Sequence, residues 1–382
     1  MRSSLVCTVA AAGVAAAATG CWRHPQQIDP VAAVAREDIG LPVLSLRWKR
    51  VIADHRDEFA AQEFATAAVA FDRVYIGSRA GVLYALDAAD GSVVWKRAIG
   101  ATSAQPVVDR GRLYVGTDDG YLLCLDTFDG EEKWRYAGHG AVVRPPVVGD
   151  ELVFFSDDAD EVFAVDRETG TYRWQFKVDM PEEFTLRGHA GVAVAGDLLF
   201  TGFANGTVAA LRTATGSVAW MTSIKGKADR FVDVDSHPTI VGDTLWMASA
   251  AGGVHALDAA TGLVKWKLEV EGAGTVVADG DTLYFAAADE GLFSVDDAGH
   301  VRWRQGTRGG GEPADPVVTG RYAVFALSDA GLYVTDKRTG RVYQYFDPGH
   351  GVSATPAVAG DRMYVLTNGG ILYAFDLRRF DG

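Results

Sequence analysis

Residues 126–134 read DTFDGEEKW, with an aspartate, a glycine and a tryptophan spaced four residues apart, and this spacing organises most of the chain. A glycine precedes a tryptophan by four residues six times, and a seventh copy has Gln344 in place of the tryptophan. The pairs are Gly91/Trp95, Gly130/Trp134, Gly170/Trp174, Gly216/Trp220, Gly262/Trp266, Gly299/Trp303 and Gly340/Gln344. Successive copies lie 37 to 46 residues apart, which is the length of a four-stranded propeller blade.

Each copy contains four short strands, and the second strand carries an aromatic residue. These aromatic residues are Tyr75, Tyr114, Phe154, Phe200, Trp246, Tyr284, Phe325 and Tyr364. There are thus eight second strands but seven fourth strands after them, and residues 44–49 (LSLRWK) can supply the missing one. We predict an all-β fold over residues 44–382, an eight-bladed propeller of four-stranded antiparallel blades, closed by an N-terminal strand that completes the last blade. Seven blades plus an outlying unit is the alternative.

The repeat Asp-x-x-x-Gly-x-x-x-Trp resembles that of the quinoprotein-type propeller superfamily. Members of that superfamily include dehydrogenases that hold pyrroloquinoline quinone beside a calcium ion, often stacked on adjacent cysteines. The three cysteines here, Cys7, Cys21 and Cys124, are not adjacent. Cys124 stands where other third strands have alanine or serine, so we expect it to be a small buried filler. We therefore predict no cofactor, and we interpret the repeated tryptophans as inter-blade packing residues.

Other chemistry is not indicated by the residue patterns. The eight histidines show no zinc-ligand spacing, and no nucleophile elbow or Ser-His-Asp order is present. Residues 157–161 (DDADE) are acidic but lack the calcium-loop pattern, which favours a solvated turn. We predict no catalytic residue and no metal site.

The N-terminus has the pattern of an export signal. Residues 5–18 contain no charge and follow Arg2, which predicts a signal peptide over residues 1–20. Residues 18–21 (ATGC) resemble the bacterial lipoprotein signal, with Ala18 where leucine is usual. That resemblance implies a lipid attached to Cys21; an ordinary secretory signal is the alternative.

Residues 21–43 are expected to form the lipidated N-terminus and a flexible tether, because they hold three prolines among alanines and polar residues. Trp22, rather than aspartate, follows the cysteine, which favours the outer membrane. No later stretch is apolar and long enough to span a bilayer. We therefore expect contact with the membrane through the lipid anchor alone.

The net charge excludes one class of partner. Lys and Arg number 36 against 50 Asp and Glu, for a formal charge of −14. Binding to nucleic acid needs clustered cations that neutralise phosphates. We therefore expect no nucleic-acid partner.

Two consecutive repeats are longer than the others, and the extra residues precede the first strands of the next blades. The added segments are 180–189 and 227–237. Because they leave successive blades at equivalent points, they should emerge side by side on one face. Apolar side chains beside an arginine and carboxylates suit a protein interface. The candidate partner-binding residues are Phe184, Leu186, Arg187, Asp233 and Asp235.

These segments are similar to those of the B lipoprotein family of the bacterial β-barrel assembly machinery. The similarity rests on Leu186-Arg187-Gly188, on Asp229-Arg230-x-x-Asp233-Val234-Asp235-x-x-Pro238, and on Gln344 in the penultimate blade. It implies a non-enzymatic scaffold at the periplasmic face of the outer membrane. Such a scaffold docks these loops onto the periplasmic domains of the large barrel subunit, assists the folding and insertion of barrel proteins, and can present its edges to unfolded strands. The alternative is a small periplasmic quinoprotein dehydrogenase or ligand-binding propeller.

Overall fold

Thirty-two strands arranged in eight four-stranded antiparallel sheets make up the fold. The computed structural model describes residues 42–55, 58, 61–178, 190–225, 232–307 and 310–378. Within these ranges the chain forms strands and turns but no α-helix. The same residues accordingly contain no helix that is long and apolar enough to cross a membrane.

Each blade takes its strands from consecutive stretches of the chain, except for the last blade, which also takes the first strand. Blades 1 and 2 comprise β2 (Ala68–Ala70), β3 (Arg73–Ile76), β4 (Val82–Asp87), β5 (Val93–Ala98), β6 (Val107–Asp109), β7 (Arg112–Gly116), β8 (Tyr121–Asp126) and β9 (Glu132–Ala137). Blades 3 and 4 comprise β10 (Val147–Val148), β11 (Leu152–Asp157), β12 (Glu161–Asp166), β13 (Tyr172–Lys177), β14 (Ala193–Ala195), β15 (Leu198–Gly202), β16 (Thr207–Arg212) and β17 (Val218–Ser223). Blades 5 and 6 comprise β18 (Thr239–Val241), β19 (Thr244–Ser249), β20 (Gly253–Asp258), β21 (Val264–Leu268), β22 (Val277–Asp279), β23 (Thr282–Ala287), β24 (Gly291–Asp296) and β25 (Val301–Gln305). Blades 7 and 8 comprise β26 (Val317–Thr319), β27 (Tyr322–Ala326), β28 (Leu332–Asp336), β29 (Val342–Phe346), β30 (Ala357–Ala359), β31 (Arg362–Leu366), β32 (Ile371–Leu377) and β1 (Leu44–Val51).

The ring closes through the N-terminal strand. β1 pairs antiparallel with β32, from Leu44 opposite Leu377 to Val51 opposite Ile371. The first strands of blades 8 and 1, β30 and β2, also contact each other. The predicted eight-bladed closure is therefore confirmed, and the seven-blade alternative is wrong. Closure satisfies a sheet edge that would otherwise be unpaired.

The repeated tryptophans fill the seams between blades, as the sequence predicts. Trp134 in blade 2 packs against Gly170 in blade 3, where an added Cβ would lie 2.6 Å from the indole ring. Gly170 also has a φ of +69°, so it serves both the turn and the close approach of the ring. The indole N–H then donates to the carbonyl of Arg167 at 3.0 Å. Each glycine of the repeat thus receives the tryptophan of the preceding blade.

The same hydrogen bond recurs at seven seams, since Trp Nε1–H reaches a backbone carbonyl of the next blade each time. The acceptors are Ala88 for Trp48, Thr127 for Trp95, Arg167 for Trp134, Thr213 for Trp174, Ala259 for Trp220, Asp297 for Trp266 and Lys337 for Trp303. We call these seven contacts the tryptophan belt.

The seam between blades 7 and 8 uses Gln344 instead. Its side-chain carbonyl accepts hydrogen bonds from the backbone N–H groups of Val43 and Leu44, both at 2.9 Å. Gln344 is therefore a polar clasp on the start of β1, where the chain enters the ring from its N-terminus.

One predicted equivalence is wrong by a single residue. In blade 7, Val324 pairs with Val334, which in turn pairs with Gln344, so Val324 occupies the place of the second-strand aromatic. Phe325 lies on the opposite face of the strand and stacks on Tyr333, with ring centroids 5.0 Å apart. Because side chains alternate along a strand, matching by aromatic character alone moved this one to the wrong face.

The connections between blades lie at one end of the propeller, which we call the upper face. There the connection that leads into each first strand meets the turn between the second and third strands of the preceding blade. In blade 2, for example, Val142 donates to the carbonyl of Thr117 at 3.0 Å. The predicted extra lengths fall in such connections, 178–192 before β14 and 224–238 before β18.

Candidate partner-binding face

The two long connections are described at their ends. Phe184, Leu186 and Arg187 lie outside the described residues, whereas Asp233 and Asp235 lie within them. The described ends meet: a Cβ added to Gly191, which closes the first connection, would overlap Nδ1 of His237 in the second. The two connections are therefore neighbours on the upper face, as the sequence predicts.

Backbone hydrogen bonds hold the end of the second connection against blades 4 and 5. Val234 donates to the carbonyl of Phe203 at 3.2 Å, and the carbonyl of Asp233 accepts from Ala250 at 3.0 Å. Ser236 adds a side-chain acceptor, because its hydroxyl receives the N–H of Ala248 at 2.7 Å. Residues 233–236 are thus a tied-down edge of the upper face.

The two candidate carboxylates differ in exposure. Asp233 is 1% exposed, whereas Asp235 is half-buried. Burial raises the pKa of Asp235, and the nearby guanidinium of Arg144 opposes that rise. Of the two residues, Asp235 is the more exposed, and Asp233 lies beneath the surface.

Arg144 is the residue that sequence reasoning missed at this site. It lies in the connection before β10, and its Nη2 donates to the carbonyl of Asp235 at 2.7 Å. Its Nη1 also lies 3.9 Å from a carboxylate oxygen of Asp315, in the connection before β26. Arg144 thus spans the centre of the ring at the upper face, from blade 3 to blades 5 and 7. We call this region around Arg144, Asp235 and Asp315 the mouth of the ring.

His237 adds a buried imidazole beside this arginine. Burial, together with the charge of Arg144, lowers the pKa of His237 to about 4. The ring is therefore neutral at neutral pH and does not repel the guanidinium. The backbone N–H of His237 donates to Thr275 in blade 6 at 3.1 Å.

The acidic turn at 157–161 is not the solvated turn that the sequence predicts. Asp157, Asp160 and Glu161 are at most 3% exposed. Asp157 accepts backbone hydrogen bonds from His139 and Gly140, so these carboxylates replace water with peptide N–H groups. Burial raises the pKa of Asp157.

Glu161 behaves differently because it has charged partners. Lys177 and His139 both bond its carboxylate. Burial opposes ionisation of Glu161, but these two hydrogen bonds outweigh it and lower the pKa. The turn is therefore a structural part of the upper face, in the blade that precedes the first long connection.

Two features of the described residues bear on catalysis. Cys124 is a free thiol with no exposed surface, and burial raises its pKa to about 11, which makes it a poor nucleophile. Among these residues, no three His, Cys, Asp or Glu side chains are grouped to hold a metal ion. The seven tryptophans of the belt fill the seams between blades.

The fold belongs to the class of quinoprotein-type propellers. It has eight four-stranded blades, the tryptophan belt, and a last blade that is completed by the N-terminal strand. Solved structures of this class superpose on the chain. A quinohemoprotein alcohol dehydrogenase from Pseudomonas putida matches with a TM-score of 0.69 at 16% identity, covering 92% of this chain and 78% of its own. A likeness at this identity speaks to the fold alone.

The family is narrower. The sequence model described as "Outer membrane protein assembly factor BamB" matches residues 45–105, 79–298 and 293–379, and the chain belongs to that family. A BamB crystal structure from Moraxella catarrhalis superposes with a TM-score of 0.75 at 20% identity, covering 88% of this chain and 100% of the other.

Curated relatives match over shorter stretches. The outer membrane protein assembly factor BamB of Burkholderia pseudomallei is 29% identical over 141 residues, which is 37% of each chain. The protein of the same name from Legionella pneumophila is 33% identical over 94 residues, which is 24% of each chain. The aligned regions thus span well under half the length of these relatives.

Proposed function

We propose that this chain is a non-enzymatic scaffold of the outer-membrane protein assembly machinery that docks onto the periplasmic domains of the large barrel subunit. The observation that carries the proposal is the meeting of the two long connections on the upper face, in a chain of the assembly-factor family. Docking there would assist the folding and insertion of β-barrel proteins.

The docking surface comprises Phe184, Leu186 and Arg187 from the first connection and Asp233 and Asp235 from the second. Apolar side chains would bury against the partner, and Arg187 would form forked hydrogen bonds to a carboxylate or to carbonyls. Asp235 would pair with a basic residue of the partner, since it is the more exposed of the two aspartates. Asp233 would support the segment from below.

The test is capture of the purified periplasmic domains of the large barrel subunit from the same bacterium. Arg187→Ala should weaken binding by about 2 kcal/mol, because a desolvated arginine is a common hot spot. Asp235→Ala combined with Asp233→Ala should lose at least as much, and Asp235→Ala alone isolates the more exposed of the two residues. Circular dichroism and thermal unfolding verify that each variant is folded.

The matched controls lie away from the upper face. Arg110 and Asp150 form an exposed ion pair at 2.8 Å, with side chains 66% and 88% exposed. Arg110→Ala and Asp150→Ala should bind as the wild type does. A folded Arg187→Ala variant that binds at wild-type strength would place the docking surface elsewhere. Dye-linked alcohol oxidation that requires added quinone and calcium would instead support the dehydrogenase alternative.

The chain would be held at the periplasmic face of the outer membrane by a lipid on Cys21. One acyl chain binds membranes weakly, whereas several together anchor a protein firmly. Cys21→Ser should therefore release a folded propeller into the soluble periplasmic fraction. Unchanged membrane association of this variant would refute the anchor.

Binding of unfolded strands would use the edge of blade 4. Six outer strands carry Lys or Arg, which discourages edge pairing, but β17 (VAWMTS) and β29 (VYQYF) carry neither. In β29 the side chains pack inward on blades 7 and 8, as Tyr345 does on Tyr333. In β17, Val218 and Met221 are 45% and 43% exposed. A photocrosslinker at Ala219 should capture unfolded barrel protein, and one at Lys133 in β9 should not; equal capture would refute a β17 site.

A further inference from the structure

One position in the ring of connections is occupied by small residues in every blade except blade 3. It lies three residues before the start of each first strand. Its occupants are Ala65, Ala104, Arg144, Ala190, Ser236, Gly274, Ala314 and Ala354. Arg144 is therefore the only long charged side chain at this position, and its guanidinium reaches across to two other connections.

Arg144 lies beside Gly191, at the end of the first long connection. A Cβ at Gly191 would lie 3.5 Å from Cβ of Arg144 and would overlap the His237 ring. Beyond Gly191, Nη2 of Arg144 donates to the carbonyl of Asp235. The absence of a side chain at Gly191 thus makes room for the His237 ring, and Cβ of Arg144 lies close by.

Arg144 lies beside the described ends of both long connections, and it donates a hydrogen bond to the second. Gly191 closes the connection before β14, and Asp235 lies in the connection before β18. We propose that Arg144 is a positioning residue that locks these two connections in register and presents Asp235 to the docked partner. This inference rests on the proposed function and names a residue that acts through the docking surface.

Arginine suits this role better than lysine would. Its planar guanidinium offers several N–H donors, so one side reaches the carbonyl of Asp235 while the other faces Asp315 at 3.9 Å. All the donors of a lysine ammonium group lie on one nitrogen, so a lysine can make the first contact but not both. The charge of Arg144 also favours the ionised form of Asp235, which is the form that pairs with a basic partner residue.

The experiment compares the full chain with Arg144→Ala and Arg144→Lys variants. Hydrogen exchange is followed in peptides covering residues 190–196 and 232–238, and binding is measured to the periplasmic domains of the large barrel subunit. Arg144→Ala should speed exchange in both peptides and weaken binding roughly tenfold, the size expected for a coupled residue that does not touch the ligand. Arg144→Lys should give exchange rates and binding between those of the wild type and those of Arg144→Ala.

A double-mutant cycle with Asp235→Ala separates positioning from direct contact. If Arg144 acts through Asp235, Arg144→Ala should cost much less in the Asp235→Ala background than in the wild type. Full additivity with unchanged exchange would mean that Arg144 touches the partner itself, and would overturn the proposal. Wild-type exchange and binding in Arg144→Ala would overturn it as well.

The matched control is Arg112, which bridges blades 2 and 3 at the opposite end of the propeller. It donates to the carbonyls of Arg167 and Glu168 at 3.1 and 3.2 Å. Arg112→Ala should leave exchange in the two peptides and binding unchanged. If the wild type itself fails to bind, the proposed function fails, while the exchange result still decides whether Arg144 locks the connections. Arg144→Gln replaces Arg144→Ala if the latter does not fold.

Discussion

The tryptophan belt and the contacts of Arg144 at the mouth of the ring both join one blade to another, but they do so in opposite ways. In the belt, each blade is joined to the next by one repeated contact, an indole on a glycine with an N–H bond to a carbonyl. At the mouth, one arginine that occurs in a single blade bridges three blades. Repetition builds a scaffold in which every seam is alike, whereas the departure from the repeat produces a place that differs from all others. A partner can recognise only the latter.

The largest expected effect is the loss of one belt tryptophan. Trp134→Ala should lower the free energy of unfolding by about 3–5 kcal/mol, because it empties a seam and removes a hydrogen bond. Urea denaturation measures this loss. Binding by the fraction that remains folded should be unchanged, since the belt does not face the partner.

The control for this variant is Tyr172, which lies two residues before Trp174 in β13 and is 55% exposed. Tyr172→Ala should change stability little. A Trp134→Ala variant that stays as stable as the wild type would show that the seams do not depend on the belt.

The next effect is the dependence of stability on pH. Burial lowers the pKa of His255, which is 4% exposed, from 6.5 to about 4. Below pH 6.5 the unfolded chain takes up a proton that the folded chain refuses, so stability is full at higher pH and falls as the pH drops toward 4. Between about pH 7.5 and pH 5 this histidine alone should remove about 2 kcal/mol.

Urea denaturation at a series of pH values measures this slope. His255→Leu should flatten it, leaving the contribution of His237, whose pKa is also lowered to about 4. His255 lies in β20 and His237 at the mouth. The residual slope therefore includes a contribution from the mouth. A profile that does not change in His255→Leu would show that this ring is protonated as readily in the folded state as in the unfolded one.

The smallest expected effect is at the seam that lacks a tryptophan. Gln344→Ala removes the acceptor of the Val43 and Leu44 N–H groups and should cost about 1 kcal/mol, because the two hydrogen bonds are only partly buried. Hydrogen exchange at these two amides should quicken. Gln344→Glu keeps an acceptor and should retain most of the protection. If Gln344→Trp proved more stable than the wild type, Gln344 would be a weaker substitute for a belt tryptophan rather than the residue best suited to this seam.

The periodic part of the structure could be predicted because each repeat reports the same local requirements. Gly170 must have positive φ and no side chain, and Trp134 must fill the seam above it; both appear in the sequence at fixed spacing. The closure by β1 followed from counting strands. Phe325 shows the limit, since a one-residue slip in register leaves the aromatic pattern looking intact while it reverses the face.

The upper face was predictable in place but not in detail. The repeat spacing located the two long connections, yet the burial of Asp233 and of the acidic turn at 157–161 depends on backbone N–H groups from neighbouring connections. Arg144 left one signal, a large charged residue at a position that is small in the other blades. That signal becomes visible only once the first strands are aligned.

By itself, the sequence determined the blade, its number of copies and the closure of the ring, because these follow from residue types that recur at a fixed period and act on their neighbours. The tertiary structure alone decided which charges meet at the mouth. Arg144, Asp235 and Asp315 come from connections far apart in the chain, and only the closed ring brings them together. Contacts across the ring do not recur at a fixed period in the sequence, so no regular spacing of residues predicts them.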